Sequence, residues 1–399
     1  MDTNRHERKS DYISPAVQKS LRLLRVYSCA FVVVLFFSRL LAAAPASTVE
    51  TGEIAGAKFT LLRPAHWNTR VLLLAHGLRD ADRPLVADLF PEHLAYRTLL
   101  DEGWIVAKTS YRRNGIIVAD AIADLDALRA HIEQKFGTPD RVLLEGESMG
   151  GLIVTLMAER DRANPPLYHG AVAIGAALSL RENSSAVGVS LQPHVPLIFL
   201  TNQSELEGPR SYVQSRARPA DFAADLRPAL LRVSRDGHVN VNQRERLAAL
   251  RALNDWIDQG SPASALAKAG FPMVNGFPDA TIPAEPIPTH VTAFADARGF
   301  EARVTEVSGN YGNVEFIAQP NDFVTAGIPP GEWFQLIARG QTFRVRYGKD
   351  FSSVKRGEWV AFPNADGYFW LARNYGDAAA TAKIAVGDTV TIRRYDDAK

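Results

Sequence analysis

The chain has 399 residues, 46% of them hydrophobic and 22% charged, with a formal net charge of +1. This is the composition of a protein with a packed core, and the length is better divided into two domains than one. A net charge near zero, with no basic patch interleaved with aromatics, provides no field to gather a polyanion and argues against nucleic acid as a partner.

Residues 1–25 are polar and carry Arg5, Arg8, Lys9, Lys19, Arg22 and Arg25. An apolar run follows from Val26 to Phe37, and then Ala42-Ala43-Ala44-Pro45-Ala46-Ser47. A basic segment, a short apolar segment and an A-x-A site make the layout of an export signal. The run is shorter than the ~20 residues of a spanning helix, and Arg39 interrupts its far end. Residues 1–46 are therefore expected to be a signal peptide cleaved after Ala46, with the protein exported to the periplasm or secreted. The alternative is an uncleaved anchor that holds it to a membrane through residues 26–41. Cys29 is the single cysteine and falls in this segment. A chain cleaved after Ala46 would then have no disulfide, thiol chemistry or cysteine-bound metal.

Residues 47–259 read as the first domain. Strand-like apolar runs lie at Val71–Ala75, Trp104–Lys108, Val142–Leu144, Ala171–Ile174, Leu197–Leu200 and Leu230–Val233. Helical runs separate them. In Asp120–Phe136 the residues Ile122, Leu125, Leu128, Ile132 and Phe136 recur at helical spacing, and in Gln243–Ile257 so do Leu247, Leu250, Leu253 and Trp256. Short, continuously apolar strands suit the centre of a parallel sheet covered by helices on both faces.

The third strand runs into Leu143-Leu144-Glu145-Gly146-Glu147-Ser148-Met149-Gly150-Gly151. A G-x-S-x-G match alone is weak. Here it follows a strand and opens an amphipathic helix, the context in which a very tight turn holds a serine in the open. A serine needs a base, an orienting acid and an oxyanion hole. The last strand leads into Ser234-Arg235-Asp236-Gly237-His238, so His238 lies at the edge of the sheet where strand ends gather. The strand before it leads into Thr201-Asn202-Gln203-Ser204-Glu205-Leu206-Glu207, which makes Glu205 the candidate acid and Glu207 the alternative; Asp221 and Asp225 lie further on. The amides of Met149, which opens the helix, and of Leu78, in His76-Gly77-Leu78 after an early strand, are the candidate oxyanion donors. Tyr111 and Arg112, with Arg113, follow another strand end and are candidate substrate contacts. The loop Arg79–Ala95 is expected to form a small cap.

These residues resemble the α/β-hydrolase superfamily, and its esterase and peptidase-like branches most, over roughly Gly56 to Ile257. The resemblance implies the chain order Ser148, Glu205, His238 for a catalytic triad. The glutamate stands where aspartate is commoner.

Between residues 260 and 289 prolines and glycines crowd together, and a stiff, extended linker is expected there. From residue 290 to 399 short β-rich runs alternate with glycine and asparagine turns, which describes a small all-β barrel or sandwich. The stretch Ser308-Gly309-Asn310-Tyr311-Gly312-Asn313 and the later Ala372-Arg373-Asn374-Tyr375-Gly376-Asp377 resemble the C-terminal β-barrel of the S-adenosylmethionine hydroxide adenosyltransferases and related halogenating enzymes. That resemblance implies ligand contacts at Tyr311, Asn313, Arg373 and Asn374, although the family's own N-terminal domain is replaced here.

The expected protein is an α/β-hydrolase, with a mostly parallel sheet and helices on both faces, followed by a small β-barrel. The expected activity is that of an exported serine esterase acting on a small-molecule ester through an acyl-enzyme, with no metal and no cofactor. The alternatives are a peptidase or amidase of the same fold, and a non-catalytic protein whose barrel binds a nucleoside-like ligand. The oligomeric state is left open.

Overall fold

Strands form where the apolar runs are bounded by polar residues, and they join one sheet. In the computed structural model, which describes residues 47–183, 185–215, 222–285, 291–308 and 312–395, that sheet contains β1 (Thr48–Ile54), β2 (Ala57–Arg63), β3 (Arg70–Ala75), β4 (Ile105–Thr109), β5 (Arg141–Glu147), β6 (Gly170–Ile174), β7 (Leu197–Asn202) and β8 (Ala229–Val233). Their order across the sheet is β1-β2-β4-β3-β5-β6-β7-β8. The pairs β1–β2 and β2–β4 are antiparallel and the others parallel. The expected signal or anchor, residues 1–46 with Cys29, lies outside the described residues, as do Asp221 and Tyr311. Among the described residues no helix is long and apolar enough to cross a membrane.

Helices cover both faces. They are α1 (Leu94–Asp101), α2 (Val118–Phe136), α3 (Met149–Arg160), α4 (Glu207–Val213) and α5 (Gln243–Gln259). Strand β3 shows why its sequence is apolar throughout. Val71, Leu73 and Ala75 pack with α2, α3 and α4, while Leu72 and Leu74 pack with α1 and α5 on the other side. This is the doubly covered, mostly parallel sheet of an α/β-hydrolase.

The proline-rich stretch differs from the extended linker expected of it. Residues 262–269 form a helix, α6 (Pro262–Ala269), because its proline stands at the first helical position, where no amide donor is needed, and Ser261 caps it. The chain then returns to the sheet. Asp279 accepts from Arg232 of β8 at 3.0 Å, and Ala280 donates to the Arg232 carbonyl at 2.6 Å.

The C-terminal part is a closed barrel of seven strands: β9 (Gly299–Val307), β10 (Val314–Phe316), β11 (Trp333–Ala338), β12 (Gln341–Tyr347), β13 (Trp359–Pro363), β14 (Phe369–Arg373) and β15 (Thr389–Arg394). The ring runs β9-β10-β14-β13-β12-β11-β15 and closes where β15 pairs with β9. A short helix, α7 (Pro320–Thr325), plugs it with Phe323. That ring stacks on Phe369 at 4.3 Å and meets Phe300 and Phe334 edge-on at 5.1 and 5.3 Å.

One polar cluster interrupts the core beneath the sheet edge. Glu145 of β5 is buried and accepts from Arg246 of α5 at 2.6 Å and from the Tyr96 hydroxyl of α1 at 3.0 Å; Arg246 also holds Glu147. Burial raises Glu145 above the ordinary carboxylate range despite the guanidinium, whereas Glu147, whose side chain is partly exposed, is held below it by Arg246 and Lys108. Replacing Arg246 by methionine leaves the buried Glu145 without its cation. R246M is expected to lose about 3–5 kcal/mol of stability, read from urea denaturation.

Candidate active site

Ser148 sits between β5 and α3 with φ 55° and ψ −115°, a conformation that side chains rarely adopt. The turn exists because glycines flank it. A Cβ on Gly146 would lie 2.1 Å from the Gly150 carbonyl oxygen, and one on Gly150 would lie 2.0 Å from the Ala75 carbonyl oxygen. Met149 opens α3, so its amide belongs to the first turn, where no intrahelical acceptor exists and the helix dipole is positive. The turn after β3 lies against the serine: a Cβ on Gly77 would stand 3.2 Å from Ser148 Cβ. Leu78 follows directly.

His238 brings its Nε2 to 2.8 Å from Ser148 Oγ, and its Nδ1 hydrogen-bonds a carboxylate oxygen of Glu205. The structure thus unites Ser148, His238 and Glu205, which are far apart in the chain. Glu205 ends a short 3₁₀ turn (Gln203–Glu205) at the tip of β7. Glu207 begins α4 with an exposed side chain. Asp225 lies in another 3₁₀ turn, where its carbonyl accepts from Trp256.

Two residues not singled out from the sequence build this arrangement. Asn202, the buried last residue of β7, donates to the carbonyls of Arg235 and Asn240 at 3.2 and 2.9 Å and accepts from the Asn240 amide at 2.8 Å. Ser204 accepts from the Gly237 amide at 2.9 Å and donates to the Gly237 carbonyl at 3.0 Å. The segment carrying the acid therefore clamps the loop carrying the imidazole. A polar residue ending a buried strand was the available signal.

Beneath the turn, His76 is buried with its ring nitrogens facing the carbonyls of Gly77 and Ser110 at 2.7 and 3.1 Å. Burial, with the charges of Arg79 and Lys108, pushes its pKa down to about 3, against the two carbonyls, which favour the protonated ring. It lies 4.0 Å from the ring of Tyr111, whose hydroxyl donates to the His76 carbonyl at 3.2 Å.

That geometry corrects the expectation for Tyr111, while Arg112 and Arg113 are found in ion pairs. Tyr111 is 0% exposed and supports the His76 turn from below. Arg112 is held by Asp124, which its Nη2 reaches at 2.5 Å, and Arg113 by Asp120 at 2.7 Å. Both arginines keep exposed surface beside these pairs. In the barrel, Arg373 donates to the Gly357 carbonyl at 3.1 Å and Asn374 to the Val354 carbonyl at 2.9 Å, so both serve the turn at 354–358. Asn313 precedes β10 with its side-chain oxygen buried and unpartnered among the described residues. No group of metal-ligating side chains is present among the described residues.

Residues 307–391 match the model of the SAM hydroxide adenosyltransferase C-terminal domain. The matched residues lie within the barrel. No curated protein matches the chain. Among solved structures, an uncharacterized conserved protein from Thermotoga maritima is 22% identical over 33% of this chain and 49% of its own, with a TM-score of 0.25. An acylaminoacyl peptidase from Pyrococcus horikoshii is 10% identical over 56% of this chain and 43% of its own, with a TM-score of 0.41. An esterase from the archaeon Pyrobaculum calidifontis is 15% identical over 64% of this chain and 99% of its own, with a TM-score of 0.38. The chain thus spans about half or less of the first two. The hydrolase architecture itself is carried by the strand order and the Ser148 turn.

The Glu205 hydrogen bond raises the His238 pKa; partial burial works against it, and the charges of Glu205 and Glu147 add to it. His238 is expected to titrate above the ordinary imidazole value of 6.5. In E205Q it should fall back toward or below that value, as followed by NMR of the ring protons across a pH series.

Proposed function

We propose that the chain is a serine hydrolase whose substrates are carboxylic esters. The hydrogen bond between Ser148 Oγ and His238 Nε2, on a strained turn with Glu205 on the other ring nitrogen, carries this reading. Ser148 Oγ attacks the ester carbonyl carbon while His238 Nε2 takes its proton. Glu205 stabilises the imidazolium and fixes the tautomer. Amides of Leu78 and Met149 take the negative charge that develops on the carbonyl oxygen. The tetrahedral adduct collapses, the C–O bond to the alcohol breaks, and the imidazolium returns the proton to the leaving oxygen. Water then repeats the sequence on the acyl-enzyme.

An ester is favoured over an amide because an alkoxide leaves with less help from a proton than an amine does. The imidazole, 61% exposed, provides that help in an open site.

A fluorophosphonate probe is expected to label the wild-type protein at Ser148 and to leave S148A unlabelled. Hydrolysis of p-nitrophenyl butyrate should fall on the order of 10⁴-fold or more in S148A or H238A. Because only the neutral imidazole accepts a proton, kcat/KM should rise with pH through the raised pKa of His238. A folded wild type with neither labelling nor turnover would remove the proposal.

A further inference from the structure

The turn against Ser148 continues into residues 79–93, which contain neither helix nor strand. A segment of this kind has little ladder bonding of its own, and its position must be fixed by other contacts. Its middle is tied to its own start and to the sheet domain. The buried Arg79 guanidinium holds Asp88 at 2.5 Å and also donates to the Val86 carbonyl, Lys108 meets Asp88 at 2.8 Å, and Asn114 donates to the Arg83 carbonyl at 2.7 Å. The barrel supplies two further holds. Arg83 Nη1 lies 2.6 Å from Asp377, and His93 Nε2 lies 3.0 Å from Glu306.

The barrel ends of these contacts are themselves fixed. Asp377 caps α8 (Ala378–Ala382), accepting from the Ala380 amide at 2.7 Å with one oxygen and from Arg83 with the other. Glu306 stands in β9 opposite Glu315 of β10. The barrel touches a second segment of the candidate site as well. Asp366 accepts from the Gln243 amide at 2.8 Å, at the start of the helix that follows the His238 loop.

We propose that Asp377 and Glu306 are positioning residues for the turn His76–Leu78: the barrel braces the oxyanion side of the site from outside. This rests on the reading of Ser148 as the nucleophile. The turn must be held within a fraction of an ångström to serve a developing oxyanion, and a segment lacking regular structure does not achieve that alone. A contact that merely joins two domains would leave turnover unchanged when weakened.

The test uses the full chain. Asp377→Asn removes the charge but keeps a good helix cap, and Arg83→Gln breaks the same pair from the other side. Both variants are expected to exchange amide hydrogens faster across residues 76–90, with β3 and β5 unchanged. With p-nitrophenyl butyrate, kcat should fall roughly 10- to 100-fold while KM stays within about twofold. Affinity for an alkylboronic acid, which forms a tetrahedral adduct on the serine, should fall in parallel. Arg83→Lys, which keeps the charge, should hold wild-type behaviour. Folded variants with wild-type exchange and kcat overturn the brace, and so does a rise in KM with kcat intact. If the wild type takes up no fluorophosphonate, the hydrolase reading fails instead, and exchange across 76–90 alone decides whether the brace exists: faster exchange upholds it, and unchanged exchange overturns it.

Discussion

The site depends on how closely α3 approaches the end of β3. Gly150 presses its backbone on the Ala75 carbonyl, a distance that no side chain would tolerate. Strands β3 and β5 are parallel neighbours, with Ala75 paired to Gly146, so their ends arrive together. The serine turn is thereby forced outward, and the His76–Leu78 turn is brought alongside it. A wider separation would leave a serine on an ordinary loop, with the start of the helix and the neighbouring turn aimed at different points.

Support from below and from the side follows the same economy. Arg246 joins α5 to both carboxylates of β5, and Tyr111 props the carbonyl of His76. Asn202 makes one clamp for two segments, since its amide group holds the His238 loop from the strand that delivers Glu205. The acid and the base therefore share an anchor, although they come from separate parts of the chain.

Much of this was legible in the sequence. The apolar runs at Val71–Ala75 and Leu197–Leu200 became β3 and β7 because strands buried on both faces have no polar positions to obscure them. Hairpin β1–β2 was missed because its outer strand, Thr48–Ile54, is exposed along most of its length and carries polar residues. The chain order Ser148, Glu205, His238 came with the resemblance, and topology supplied the meeting place: loops after parallel strands gather at one edge. The direction of Tyr111 was not legible for the same reason. A strand end gives the address of a residue but not the direction of its side chain. Tyr111 has φ 56°, and that backbone accompanies a ring lying beneath the turn after β3. Proline density misled at 262–269, where position within the helix mattered more than count.

The barrel has an odd number of staves, and that has a consequence. A cylinder of seven strands cannot alternate direction all the way round, so two neighbours must run the same way. Here they are β12 and β13, paired in parallel from Val345 with Trp359 to Tyr347 with Ala361. A hairpin cannot join such a pair. The chain has to travel back along the wall through residues 348–358, and this return leg is what Arg373 and Asn374 fasten down. The arginine–asparagine pair thus has an architectural duty at the seam, independent of any ligand.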